Sequence, residues 1–379
     1  MNDRTKGVDA PPASISPLKL ILFALIPVTI LAALAEVLAA FTIERVARIV
    51  PRDGSPAREY RMRTGEWPWS RVSITPINSL GFPDREFPDP SAPKTCAHVV
   101  VIGDSFVFGD GVDGDSSWVG ILQREAASRT GGPCLKVFNL GERGTSVPRQ
   151  ARRLHELRAR LRPDVVILGQ YQNDFTDLLE PEPTPLILTS SDTASTGPGE
   201  GRTIGREGGA TGWGNVQDRL KLFNPKLVRY LSYHVFAAMI TNGIHRDELE
   251  HWSVFEDSTR RDVARGLEEQ YAASFDSLAA ALAADSVDFG VVIFPSKFDV
   301  LAGRYPEESR FLKMAGKHRL PALRIFPVLD TMRAPYAFLL YDGHLNERGN
   351  RLVADAVSSW LFGSASAPFP VLRASTPSP

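Results

Sequence analysis

Serine is a poor nucleophile at neutral pH unless a base takes its proton, so a Ser and a His set at the ends of structural elements are where chemistry could begin. In "VIGDSFVFGDGV", Val101 to Val112, a continuous apolar run meets Gly103, Asp104 and Ser105. In "LLYDGHLNERGN", Leu339 to Asn350, Asp342 and His344 close another apolar stretch, and Asn346 is placed to cap the helix that follows. A Ser with a His and an orienting carboxylate is the equipment of acyl transfer through a covalent intermediate. A tetrahedral intermediate also needs donors for its negative oxygen. "NLGERGTS" from Asn139 supplies Gly141 and Gly144, and "GQYQND" from Gly169 supplies the Asn173 amide. Each feature alone has a plainer reading: a capping Ser, a polar His, turn glycines, a helix-capping Asn. Asp104 reads as a brace for its own turn. Lys297 in "FPSKF" follows another apolar run, where it could contact an anionic or sugar substrate or stand solvated.

These residues need elements to hold them. "AHVVVIGDS", "LKVFNLG" from Leu135, "DVVILGQ" from Asp164, "DFGVVIFPS" from Asp288 and "ALRIFPVLD" from Ala322 are runs of the kind that form strands buried on both faces. Helical patterns cover Trp118–Ala127, Arg149–Arg160, Ser258–Ala284 and Glu347–Leu361 between and after them. Alternation of this kind predicts an α/β fold with a parallel sheet covered on both faces, whose ligands bind beyond the carboxyl ends of the strands.

With 379 residues, a formal net charge of −1 and 43% hydrophobic residues, the chain is a folded protein with no global field for nucleic acid. Residues 1–19 read as a disordered tail. The apolar segment 20–43 is long enough to cross a bilayer, with a cleaved secretory signal as its competitor and a buried soluble helix as the third reading. Residues 44–94, rich in Arg and Pro without sustained periodicity, read as a linker or extended arm. Residues 181–215 read as a flexible surface insertion, the stretch from Arg219 as short helices over the main domain, and 364–379 as a disordered tail. Neither Cys96 nor Cys134 has a second thiol or a His at metal-ligand spacing, so no zinc site is legible.

Ser, Gly, Asn and His at successive strand ends, in this order, resemble the blocks of the SGNH hydrolases, also called GDSL esterases or lipases, across roughly residues 95–363. The resemblance implies a flavodoxin-like three-layer α/β/α sandwich, here preceded by one transmembrane helix, and metal-free hydrolysis or transfer of acyl groups. It assigns Ser105 as nucleophile, His344 as base and Asp342 as orienting acid. The oxyanion hole falls to Ser105, Gly144 and Asn173. Two departures stand out: Asp342 precedes His344 by two residues where the family has Asp-x-x-His, and Gly169 lies farther from Asn173 than in Gly-x-Asn-Asp. "DGHLN" behind a membrane segment looks most like envelope-associated bacterial members, some of which act on acylated polysaccharides. The expected partners are therefore an acyl ester, such as an acylated glycan, and the membrane. The domain is expected outside the cytoplasm, anchored or secreted. O-acyl transfer to an envelope polysaccharide and non-catalytic glycan binding are the alternatives. In the resembling fold the first two strands are parallel neighbours, which puts Cys96 and Cys134 at the amino-terminal edge, within reach of a disulfide or as two buried thiols.

Overall fold

The computed structural model of the chain describes residues 16–43, 46–51, 58–64, 71–129, 134–179, 255, 260–330, 336–339, 343–363 and 367–372. Five strands form a parallel sheet: β4 (Ala97–Gly103), β5 (Leu135–Gly141), β6 (Val165–Tyr171), β7 (Asp288–Phe294) and β8 (Ala322–Arg324), in the order β5-β4-β6-β7-β8. Successive residues of a strand point to opposite faces, and here both faces are apolar. Val99, Val101, Val165, Ile167, Val292 and Phe294 meet α3 (Trp118–Ser128) and α9 (Glu347–Phe362) on one side. Val100, Ile102, Val166, Leu168, Val291 and Ile293 meet α4 (Val147–Leu161), α5 (Arg261–Ala284) and α7 (Glu308–Lys317) on the other. The result is three layers. The chain runs from β4 to the β5 edge and then returns to the opposite side as β6, which opens a crevice at the carboxyl end of β4, where α/β sheets hold ligands.

Two short helices complete this end of the sheet, α2 (Ser105–Phe108) after β4 and α6 (Lys297–Ala302) after β7. The run from Ala322 is strand for only three residues, because Pro327 enters α8 (Phe326–Asp330), and proline is well tolerated in a helix's first turn.

Residues 44–94 are not an extended arm. They contain an antiparallel sheet of β1 (Val46–Pro51), β2 (Arg58–Thr64) and β3 (Arg71–Ile77), and Tyr60, Met62 and Ile77 bury themselves against Phe108 of α2. After β3, Phe82 and Phe87 enter the core beside Phe138. Asp84 accepts hydrogen bonds from the Asn139 backbone N–H (2.7 Å) and the Gln123 amide (3.0 Å). Burial raises the Asp84 pKa to about 6, against those bonds. Periodicity failed to flag this region because its strands bury little apolar surface and carry many arginines.

The C-terminal tail also needs correction, since Phe369 and Leu372 are buried and Phe369 packs edge-on against Trp360. At the other end, α1 (Pro17–Ile43) is a 27-residue helix whose described apolar side chains are largely exposed. Among the described residues, no helix is long and apolar enough to cross a membrane. The expectations for 181–215 and for most of the stretch from Arg219 fall outside the described residues.

Cys96 and Cys134 form a disulfide with Cα atoms 4.6 Å apart, and the Ala97 N–H donates to the Cys134 carbonyl at 2.8 Å. The bridge joins the amino-terminal ends of β4 and β5, the edge opposite Ser105. Denatured, unreduced protein from its native compartment is expected to show no free thiol, and two after reduction. Two without reduction would contradict the bridge.

Candidate active site

Ser105 sits where β4 stops. Gly103 has φ +157°, and a Cβ there would come within 2.4 Å of Val107 and 3.0 Å of the Gly169 carbonyl, so only glycine lets β4 pass into α2 this tightly. Asp104 caps α2 by accepting from the Phe106 N–H at 2.9 Å. Gly109, left-handed at φ +85°, ends the single turn. The Phe106 carbonyl accepts from the Trp118 indole at 2.9 Å, fixing the turn to α3.

His344 arrives from the far end of the chain. Phe338 pairs with Leu345, the Leu339 N–H donates to the His344 carbonyl (2.8 Å), and Asn346 caps α9 through the Gly349 N–H (3.0 Å). These contacts bring His344 Nε2 to 2.8 Å from Ser105 Oγ. The Phe106 ring lies beside the imidazole, with centroids 5.3 Å apart, and packs on Tyr171 at 4.2 Å.

The neighbouring strands deliver the other residues to the same edge. The Glu142 N–H donates to the Gly103 carbonyl (3.0 Å), so the β5 loop starts beside the Ser105 turn. Gly144 in that loop is left-handed at φ +61° and faces open space. Asn173 follows β6 and donates to Asp177 at 3.1 Å. Its side chain also lowers the pKa of Asp104, which places it against the serine turn. Ser146 Oγ donates to the Asp174 carbonyl at 2.6 Å and ties the two loops together. Ser105, Gly144, Asn173 and His344 therefore share one edge of the sheet, while Asp342 lies outside the described residues.

Lys297 is buried rather than solvated. It is 6% exposed, and its ammonium donates to the Leu339 carbonyl at 2.8 Å, inside the turn that carries His344. A buried lysine can be held by a backbone carbonyl while its stem packs against apolar neighbours. Lys297→Met should lower kcat by roughly 10²-fold with little change in KM, since small misplacements of a catalytic group cost that much. Unchanged kcat would show that the turn holds His344 without it.

Burial raises the Asp104 carboxyl to about 6 against the pull of Phe106 N–H, of His344 and of Asn173. Burial, then the charge of Asp104, pushes Asp174 well above the usual carboxylate range. Ionised Asp104 favours the imidazolium form of His344, whereas a base must be neutral to accept a proton. Asp104→Asn keeps the acceptor for Phe106 and removes that charge, so the acid limb of the rate profile should move to lower pH. A limb that stays in place or moves up in pH would contradict this coupling.

Sequence reasoning missed a brace around these loops. Asp110, buried after α2, accepts from Tyr60 of β2 (3.0 Å) and from Arg143 Nε (2.8 Å), and Arg143 lies next to Gly144 and over the Tyr60 ring. The N-terminal sheet thus joins the serine turn to the Gly144 loop. Asp110 in "FGDG" and Arg143 in "GERG" were visible as opposite charges, but not as neighbours.

A parallel α/β sheet with a hydrogen-bonded Ser and His at its carboxyl edge defines the class of α/β hydrolytic enzymes. The chain belongs to the GDSL-like lipase/acylhydrolase family, whose model matches residues 99–357, more than half of its length, and it is an ester-hydrolysing enzyme. No curated protein matches it. Among solved structures it is similar to a putative lipolytic protein of the G-D-S-L family from Desulfitobacterium hafniense DCB-2 (12% identity, 69% of this chain and 98% of that one, TM-score 0.36). It is also similar to the psychrotrophic esterase EstA from Pseudoalteromonas sp. (10%, 69% and 94%, 0.37) and to the acetyl-xylooligosaccharide esterase Axe2 from Geobacillus Stearmophilus (12%, 70% and 95%, 0.38). At these values the likeness carries nothing about substrate or mechanism.

Proposed function

We propose that the protein hydrolyses carboxylic esters through an acyl-enzyme on Ser105, acting outside the cytoplasm while α1 anchors it in the membrane. The 2.8 Å contact between Ser105 Oγ and His344 Nε2 carries this reading. His344 takes the hydroxyl proton as Oγ attacks the ester carbonyl, then returns it to the departing alcohol. Asp342 orients the ring. The backbone N–H groups of Ser105 and Gly144 and the Asn173 amide stabilise the oxyanion, with Asn173 turning from Asp177 toward substrate. Water, deprotonated by His344, releases the acid. An acetylated or otherwise acylated envelope glycan is the proposed substrate class.

The disulfide supports an oxidising compartment, where such bonds persist. The apolar sequence of α1 supports the anchor. A panel of aryl, acetyl and glycan esters given to the full chain, with free acid and transferred acyl group both quantified, tests the reaction. Release of acid whether or not an acceptor glycan is present supports hydrolysis. Product that forms only with an acceptor would make the enzyme a transferase, and no product from any ester would sink the proposal.

A further inference from the structure

Strand β3 is inside out. Its hydroxyl residues Ser73 and Thr75 are 3% and 1% exposed, while Val72 and Ile74 between them are 50% and 39% exposed. The inward side is explained by its contacts: Ser73 Oγ donates to the Met62 carbonyl (3.2 Å), Thr75 Oγ to the Val112 carbonyl (3.5 Å), and Ile77 joins Tyr60 and Met62 over Phe108. Arg61 pairs directly with Ile74 and Arg63 with Val72, and across β2 Arg48 and Val46 pair with Arg61 and Arg63. The described charges there are Arg61 and Glu59, which bond each other at 2.8 Å. The exposed branched side chains of Val72 and Ile74 suit the boundary between lipid headgroups and acyl chains, where apolar side chains leave water.

Chain length says which surface is near. Helix α1 ends at Ile43 and β1 begins at Val46, so three peptide units separate them, at most about 11 Å. Val46 pairs with Arg63, which pairs with Val72, and two strand spacings add about 10 Å. If α1 is embedded, Val72 therefore cannot be far from the bilayer. The opposite face of the same sheet packs on Phe108, three residues after Ser105.

We infer that the outward face of the antiparallel sheet, centred on Val72 and Ile74, lies on a phospholipid surface and holds Ser105 over it, so that the enzyme works on acyl esters presented at the membrane. The inference rests on the membrane-anchor reading of α1 and deepens the proposed function by naming where its substrate is held. The sheet is then a short rigid stand in place of a tether.

The test uses the full chain in vesicles of phosphatidylcholine with phosphatidylglycerol, carrying an environment-sensitive fluorophore on Val72→Cys, Ile74→Cys or, as a control, Val263→Cys, which is 50% exposed on α5. Flotation reports the anchor, and iodide quenching reports the face. The expected result is co-flotation, with quenching at 72 and 74 reduced several-fold relative to 263. Co-flotation with equal quenching at all three positions would overturn the docked face while leaving the anchor standing. Loss of flotation would remove both. Protection that persists in detergent and grows with protein concentration would put a second copy on this face and overturn the lipid assignment. Val72→Asp with Ile74→Asp should keep turnover of a soluble aryl ester and lose about tenfold on an ester displayed on the vesicles. Equal loss on both substrates, or on neither, would count against the inference.

Discussion

Ser105→Ala is expected to remove turnover of aryl and acetyl esters by several orders of magnitude, to the residual level that an oxyanion hole and binding alone provide. The fold should survive. The side chain removed is small, and the turn that holds it is set by Gly103, by the Asp104 cap and by Trp118 bonding the Phe106 carbonyl, none of which needs the hydroxyl. Steady-state rates on purified full chain, beside circular dichroism and thiol counting, decide the matter. Near-normal rates in a folded variant would end the Ser105 mechanism.

Of comparable size is the loss expected from His344→Ala, because members of a catalytic unit act together and removing either one forfeits most of what the pair does. The Ser105→Ala, His344→Ala double variant should therefore be hardly slower than either single variant, and additive losses would show that the two residues act apart. Asp342→Asn should also slow the enzyme strongly, by no more than His344→Ala does, if Asp342 holds the ring in the right tautomer. Near-normal activity in that variant would give the orienting role to another group.

That the candidate site residues would meet at one edge was legible because each one ends an apolar run, and buried parallel strands write such runs without interruption. Ser105, Gly144 and Asn173 follow β4, β5 and β6, and those strands are adjacent, so order along the chain became proximity at one edge. The N-terminal sheet was illegible for the opposite reason. In β3 the alternation is real but inverted, and a pattern that assumes hydroxyls outside and aliphatics inside assigns it to neither class. Lys297 escaped because charge predicts exposure, and nothing in "FPSKF" announces the Leu339 carbonyl that holds it. The tail residues Phe369 and Leu372 were hidden among prolines, although their spacing was the one available sign of packing.

The disulfide makes a ring. It links two residues 38 apart in sequence, and between them lie β4, the serine turn and α3. In the chain-entropy view, closing a loop of that length disfavours the unfolded chain by about 4 kcal/mol. A ring also changes what a cut does. A protease that nicks the connection between α3 and β5 leaves one covalent molecule, with the strand that leads to Ser105 still fastened to its neighbour, and only a reductant separates the fragments. In an environment rich in proteases, damage at that connection would leave the enzyme whole in mass and its serine turn still tied to the sheet.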